Sequence, residues 1–310
     1  MNTEKYKYFT ELLGIISQRS PLQMKRIAKH VSGQGALFWQ RADTFVRNLF
    51  LYASVEEAGL KKEDVVEAYL KMCGDMFFER MRFQETGAYS CSNARQAYES
   101  IYSSEKIMTH YMYGLALSYF LWPNHYVIYD FFIHETETVK SRVKHYLEIG
   151  AGHGLFLASA LETFRDADFT VVDISQACIS MARKIVPYLS KNDRGISFYR
   201  SDIMLFDPAT KFDFISMGEV LEHVEDPVGL LKKVRSLLSR HGRLYISTCC
   251  NSPAIDHIYL FRDIAQIRDL FGKTGFRTHK ELALPVDMSR KHVGDHEEIE
   301  SNYAAIIERV

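Results

Sequence analysis

The sequence predicts an α/β fold: a mostly parallel sheet with helices on both faces, preceded by an all-helical half. Three observations predict it. Near residue 140 the chain changes from helix after helix to a repeated strand–turn–helix order. A glycine-rich turn, Gly150-Ala151-Gly152-His153-Gly154, follows a strand-like run and opens a helix-like one. Residues 98–132 are crowded with aromatic side chains, in a chain that is 13% aromatic overall.

The helical half divides by its punctuation. Between residues 4 and 16, Tyr8, Leu12, Leu13 and Ile16 fall at helical spacing. Pro21 opens a second helix running through residue 27, and Gly33 and Gly35 break it. Residues 36–58 form a longer helix with Leu37, Val46, Leu49 and Leu51, capped by Gly59. Residues 63–72 and 94–107 are further helices. Residues 109–122 are strongly apolar, and Pro123 stops them.

After Ser141 the pattern alternates. Strands are expected at 145–149, 169–172, 196–199, 212–217 and 243–248, with helices at 155–164, 176–189 and 227–238. A helix over 263–274 ends at Gly275, and 276–284 and 303–310 read as closing strands.

Composition narrows the function classes. The chain has 310 residues and is 47% hydrophobic, which excludes disorder as its main state. Lys and Arg number 38 against 39 Asp and Glu, for a formal charge of −1. That leaves no basic excess for coating nucleic acid. The start, MNTEKYKYFT, has no apolar signal core, and no run is long and apolar enough to span a membrane. The five cysteines are scattered and form no CxxC pair. The expectation is a reduced, cytoplasmic chain without disulfides or a zinc cage.

The glycine spacing selects the ligand class. A dinucleotide fingerprint would place its third glycine at position 155, where Leu155 stands. The pattern here is Glu148-Ile149-Gly150-Ala151-Gly152-His153-Gly154. It resembles motif I of class I S-adenosylmethionine-dependent methyltransferases, and the resemblance continues in register. Asp173 ends the second strand, Ser201-Asp202-Ile203 follow the third, and Ser216-Met217-Gly218-Glu219 end the fourth. The family implies a carboxylate at Asp173, beside Ile174, that accepts the ribose hydroxyls. It implies an acidic residue at Asp202, between Ser201 and Ile203, near the adenine amino group. Glu148, Gly150, Ala151, Gly152 and Gly218 complete the implied cofactor site. The resemblance covers about residues 143–310. It implies a Rossmann-like, seven-stranded methyltransferase sheet over 141–310, with an antiparallel last strand. Residues 1–140 then form a lid or dimerisation domain, through which a homodimer would assemble.

Glu219-Val220-Leu221-Glu222-His223-Val224-Glu225-Asp226-Pro227 is similar to the LEHV-x-DP segment of ubiquinone-pathway and related small-molecule methyltransferases. By that likeness Glu219 and His223 lie near the transferred methyl. Three readings stay open. His223 is a general base. Glu219, Glu222 and His223 hold a divalent ion, completed by His257 beside Asp256, as in some small-RNA methyltransferases. Or His223 and Glu222 only orient the loop.

Tyr111, Tyr113, Tyr119, Phe120, Trp122, Tyr126, Tyr129, Phe131 and Phe132 precede the glycine turn. Such a stripe packs as core, yet Thr109, His110, Asn124, His125 and Asp130 interrupt it, which suits a lid over a half-wet pocket. Tyr111 and Tyr113 are assigned to the cofactor, where aromatic faces stabilise a sulfonium; Trp122 is assigned to the same lid. His153 is given no role, and His292 and His296 are placed in a solvated loop. Cys249-Cys250 reads as buried. The expected reaction is methyl transfer to a small molecule. Cyclisation of the cofactor with release of methylthioadenosine and a non-catalytic binding module are the rivals.

Overall fold

The computed structural model describes residues 5–57, 59–192, 194–286 and 299–310. Seven helices come first: α1 (Lys7–Arg19), α2 (Pro21–Val31), α3 (Ala36–Glu56), α4 (Lys62–Thr86), the short α5 (Ala94–Ala97), α6 (Glu105–Leu121) and α7 (Pro123–Val139). The alternating part follows as β1 (His145–Ile149), α8 (Leu155–Thr163), β2 (Asp168–Asp173), α9 (Gln176–Leu189), β3 (Ile196–Arg200) and β4 (Phe212–Gly218). It continues as α10 (Pro227–Leu237), β5 (Leu238–Cys250), α11 (Ile264–Lys273), β6 (Phe276–Pro285) and β7 (Ser301–Arg309).

The strands form one seven-stranded sheet in the order β3-β2-β1-β4-β5-β7-β6. Strands β1 to β5 pair in parallel, and β7 runs antiparallel to both of its neighbours. From β1 the chain builds outward through β2 and β3, then returns to place β4 on the other side of β1. A crevice opens at such a reversal, beyond the carboxyl ends of the strands.

Strand alternation splits the core in two. Tyr146, Phe214 and Tyr245 face one layer, while Leu147, Ile149, Ile215, Met217, Leu244 and Ile246 face the other with Leu231 of α10 and Ile267 of α11. The first layer runs without a break into the helical half, through Phe9, Leu12, Val46 and Leu49. Helix α7 makes the join. Its Phe132 ring lies 4.9 Å from Phe156 of α8 and 4.8 Å from Tyr245 of β5. Helix α6 has eleven of its 17 residues buried, which explains its apolar character on every side.

Several sequence expectations change. Helix α4 does not stop at residue 72 but continues to Thr86, where Gly87 ends it at φ +67°. The helix expected over 94–107 is broken. After α5 comes a single π turn, Tyr98–Tyr102, and a fresh helix start at Ser104, whose hydroxyl accepts from the Ile107 amide at 3.3 Å. Serine competes for local amides in this way, so it starts helices better than it continues them. Between β3 and β4 there is only the 3₁₀ turn Ile203–Leu205, and a groove of about 910 Å³ opens over Thr170, Ser197 and Tyr199. His292 and His296 lie outside the described residues. No helix among the described residues is long and apolar enough to cross a membrane.

The α4–α6 crossing depends on Gly114. A Cβ there would stand 2.8 Å from Met72 Sδ and 2.9 Å from Met72 Cβ. Gly114→Ala is therefore expected to destabilise the fold by about 1–3 kcal/mol, the usual cost of overpacking. Urea unfolding measures it, and an unchanged midpoint would remove the close crossing.

Candidate active site

The glycine turn adopts backbone angles that side chains resist. Gly150, Gly152 and Gly154 have φ of +83°, +48° and +74°. A Cβ on Gly154 would meet Ile185 of α9 at 2.9 Å, and one on Gly150 would meet Val220 at 3.1 Å. The turn can thus lie flat against the next elements only with glycine at these places.

Asp173, at the end of β2, clamps this turn. Its Oδ2 accepts from the Ala151 amide and its Oδ1 from the Ser175 amide, both at 2.7 Å. Burial pushes its carboxyl up to about 6, and the amides of Ser175, Ala151, Gly152 and Ile174 pull against that rise. The Ser201 amide donates to the Asp173 carbonyl at 3.0 Å, which ties in the end of β3. Asp202 caps the following 3₁₀ turn by accepting from the Met204 amide at 2.9 Å. The ends of β1, β2 and β3 therefore bring Gly150, Ala151, Gly152, Asp173, Ile174, Ser201, Asp202 and Ile203 to one rim. Glu148 is not on it. It is buried inside β1, accepts from the Tyr146 hydroxyl, and is pushed up to about 8 by burial.

The end of β4 supplies the other wall. Gly218 is followed by Glu219 at φ +52°, and the Glu219 amide donates to the Ser247 carbonyl at 3.0 Å. A left-handed non-glycine residue costs of order 1–3 kcal/mol, so surrounding structure must hold it. Glu222 is wholly buried. Its Oε2 accepts from the Thr248 hydroxyl at 2.8 Å, while its Oε1 has no partner. Burial, and then the neighbouring Glu219 charge, hold the Glu222 carboxyl well above the usual carboxylate range.

Two imidazoles stand beside these acids. His223 Nδ1 lies 3.0 Å from the Asp256 carbonyl and 3.2 Å from the Tyr102 hydroxyl. His257 Nδ1 lies 2.6 Å from the Ser252 carbonyl. A carbonyl only accepts, so both rings carry a proton on Nδ1. The ring centroids are 4.9 Å apart. Burial, then the nearby His223, lowers His257 to about 4. Ligand atoms of Glu222, His223 and His257 lie within 4.8 Å of one another, as do those of Glu219, Glu222 and Cys249.

Helix α6 covers the crevice, but not with every residue the aromatic stripe offers. The Met112 Sδ sits 3.9 Å from where a Gly152 Cβ would be. Tyr111 is buried, and Asp256 and Glu222 both act on its hydroxyl, raising its pKa further than burial alone does. Tyr119 packs 5.2 Å from His153 and feels the Glu219 charge. Tyr113 is not brought to this group. It lies on another face of α6, 6.1 Å from Tyr52, and is acted on by Glu57. Trp122 also points elsewhere, donating to the Tyr69 hydroxyl at 2.8 Å. Burial drives His153 down to about 3 and His125 to about 4, so both are neutral packing groups beneath the turn.

Sequence reasoning missed one segment. Residues 91–104 form a strap over the strand ends. Cys91 Sγ contacts the Ile255 carbonyl at 3.2 Å, and the Ala94 amide donates to Glu225 at 2.8 Å. Arg200 reaches the Tyr98 hydroxyl at 3.5 Å, and the Tyr102 hydroxyl donates to Asp256 Oδ2 at 2.9 Å. The serine pair at 103–104 was the available signal.

Comparison with known proteins agrees with this geometry. A family model described as a methyltransferase domain matches residues 125–281, just over half of the chain, beginning inside α7. The ubiquinone biosynthesis O-methyltransferase of Coxiella burnetii is 35% identical over 118 residues, 38% of this chain and 47% of that protein. The chain thus spans about half the length of the curated relatives it matches. Among solved structures, mitomycin 7-O-methyltransferase aligns with a TM-score of 0.52 at 12% identity, over 89% of this chain and 76% of the other. PigF, solved with SAH, aligns with a TM-score of 0.53 at 12% identity, over 80% and 73%. At these identities both structures speak for the fold alone.

The buried acid in β1 has a consequence for stability. Between the unfolded value of 4.5 and the folded value of about 8, native Glu148 keeps a proton that the unfolded chain releases. Its contribution is therefore fully present below pH 4.5 and is lost as pH rises towards about 8. Glu148→Gln is expected to flatten that fall, so the variant gains on the wild type as pH rises. Urea midpoints at the two ends of this window check it; parallel curves would show that Glu148 is ionised in the fold.

Proposed function

This chain belongs to the class I methyltransferase-domain family, and from that premise we propose that it transfers the methyl group of S-adenosylmethionine to a small-molecule acceptor. The observation that carries the reading is the meeting, at the β1/β4 reversal, of the three-glycine turn, the Asp173 carboxylate and His223, which is held through its Nδ1.

Each wall has a task. Gly150, Ala151 and Gly152 let the cofactor lie against bare backbone, and Gly218 borders its methionine part. The Asp173 carboxylate, partly exposed at the rim, accepts the ribose hydroxyls alongside its amide bonds. Asp202, between Ser201 and Ile203, faces the adenine amino group, with Ile174 as an apolar neighbour. Tyr111 offers its face to the sulfonium. Glu148 supports the turn from within the sheet, and Tyr113 has no part.

Transfer is an in-line displacement. An acceptor lone pair bonds the methyl carbon as the carbon–sulfur bond breaks, and the electron pair of that bond neutralises the sulfonium. The acceptor's proton goes to His223 Nε2. The protein's work is alignment, exclusion of water and proton removal. The five free, buried cysteines suit a reducing, cytoplasmic setting.

A second reading rests on the unpartnered Glu222 Oε1 and on one ligand atom each from Glu222, His223 and His257 lying within 4.8 Å of one another. Such a set fits a divalent cation, held by Glu219, Glu222, His223 and His257. A bound ion would supply Lewis-acid polarisation of the acceptor oxygen. The protonated Glu222 of the first reading satisfies the same group with a proton instead.

Calorimetry with S-adenosylmethionine, followed by product analysis in an acceptor screen with and without chelator, tests both. The expected product is S-adenosylhomocysteine. Asp173→Ala should weaken cofactor binding about 10- to 100-fold, in line with ~1.5–3 kcal/mol for hydrogen bonds to a charged group. His223→Gln should bind cofactor normally and transfer about 10²–10⁴-fold more slowly. Absence of heat with S-adenosylmethionine, or methylthioadenosine as the product, defeats the proposal. Loss of turnover in chelator, restored by added divalent ion, selects the second reading.

A further inference from the structure

We propose that Tyr102, carried on the strap, is a positioning residue that reinforces the Nδ1-protonated tautomer of His223 favoured by Asp256, so that seating of the strap tunes the base. The inference rests on the role given to His223 above. Three remote segments meet here. Tyr102 comes from the π turn before α6, His223 from the turn after β4, and Asp256 from the loop after β5.

The direction of one hydroxyl decides the chemistry. Tyr102 donates its proton to Asp256 Oδ2 at 2.9 Å. A phenol has a single proton to give, so towards His223 Nδ1, at 3.2 Å, its oxygen can only accept. That contact requires the imidazole proton on Nδ1 and leaves the lone pair on Nε2. If the hydroxyl turned round, it would compete with the Asp256 carbonyl and favour the ring with Nδ1 as acceptor. Nε2 would then carry the proton and could remove none from an acceptor molecule.

Asp256 enforces the direction. It is 3% exposed, and its other oxygen has no partner, so the Tyr102 donor is not expendable to it. Burial, with Asp256 next to it, raises the Tyr102 phenol far above its ordinary value, so it keeps its proton. The Asp256 carbonyl, 3.0 Å from His223 Nδ1, favours the same tautomer from the other side. The ring is held by the Asp256 carbonyl, by the Asp256 carboxylate 3.6 Å away, and by the Tyr102 hydroxyl, which alone comes from the strap. When the strap lifts, that hydroxyl leaves, and a buried carboxylate loses its donor. The same hydroxyl therefore reports strap position to the base.

The test needs no acceptor molecule. Protein carrying ¹⁵N-histidine is compared as wild type, Tyr102→Phe and Tyr98→Phe by long-range ¹H–¹⁵N spectra, with His223→Gln assigning the signal. Calorimetry with S-adenosylhomocysteine runs on the same samples. Wild type should show separate pyrrole-like Nδ1 and pyridine-like Nε2 signals for His223. Tyr102→Phe should narrow that separation through partial tautomer averaging, while binding S-adenosylhomocysteine within about twofold of wild type. Tyr98→Phe removes a different strap contact and should keep the wild-type signals. Unaltered His223 signals in Tyr102→Phe would overturn the proposal, leaving the Asp256 carbonyl and carboxylate as the restraints. Equal disturbance in Tyr98→Phe would also overturn it, by reducing Tyr102 to general packing. If wild type binds no S-adenosylhomocysteine, the proposed function fails instead, and the spectra still decide the role of Tyr102.

Discussion

The Asp173 carboxylate is the constraint on which the crevice depends. Its oxygens bond the amides of Ala151 and Ser175, so one side chain joins the turn after β1 to the turn after β2. A carboxylate partly withdrawn from water is expensive unless amides bond it. The clamp holds the glycine turn in left-handed angles, and those angles let α9 and Val220 press close from below. Above it, Met112 of α6 rests on Gly152. Substrate-facing backbone is thus fixed before any ligand arrives, which is how a site avoids spending binding energy on ordering itself.

Much of this was legible in the sequence, and the failures have physical causes. The strand–turn–helix order was readable because buried parallel strands are short apolar runs and the glycines punctuate them. Asp173, Asp202 and Gly218 were readable because each falls where a strand pattern ends. The aromatic stripe was readable as buried but not by direction. Tyr111 and Tyr113 are two residues apart, about 200° around a helix, so they cannot serve the same pocket. Tyr111 meets the acids of the site, and Tyr113 meets Tyr52. Trp122, at the helix end, finds the Tyr69 hydroxyl. The length of α4 was hidden because Gly74 sits inside it without ending it. Whether a helical glycine breaks its helix is decided by packing, not by local pattern.

The strap was illegible for a different reason. Its contacts run from Cys91 to Ile255, from Ala94 to Glu225, from Tyr98 to Arg200 and from Tyr102 to Asp256 and His223. Each joins residues more than a hundred positions apart, and together they reach the end of β3, the turn after β4 and the loop after β5. No periodicity encodes such pairs. They exist only after the sheet has placed the ends of β3, β4 and β5 side by side.

That dependence runs in both directions. The strand ends supply His223, Glu222 and His257, but the strap supplies the hydroxyl that sits between His223 and Asp256. The helical half is therefore not an appendage covering a finished centre. It contributes one of the groups from which the centre is made, and its core is continuous with one face of the sheet through Phe132. If His223 is the base, a cover that carries Tyr102 ties the acceptor's enclosure to the hydrogen bonding of the imidazole, because the hydroxyl that shields the strand ends is also one of the groups around His223 Nδ1.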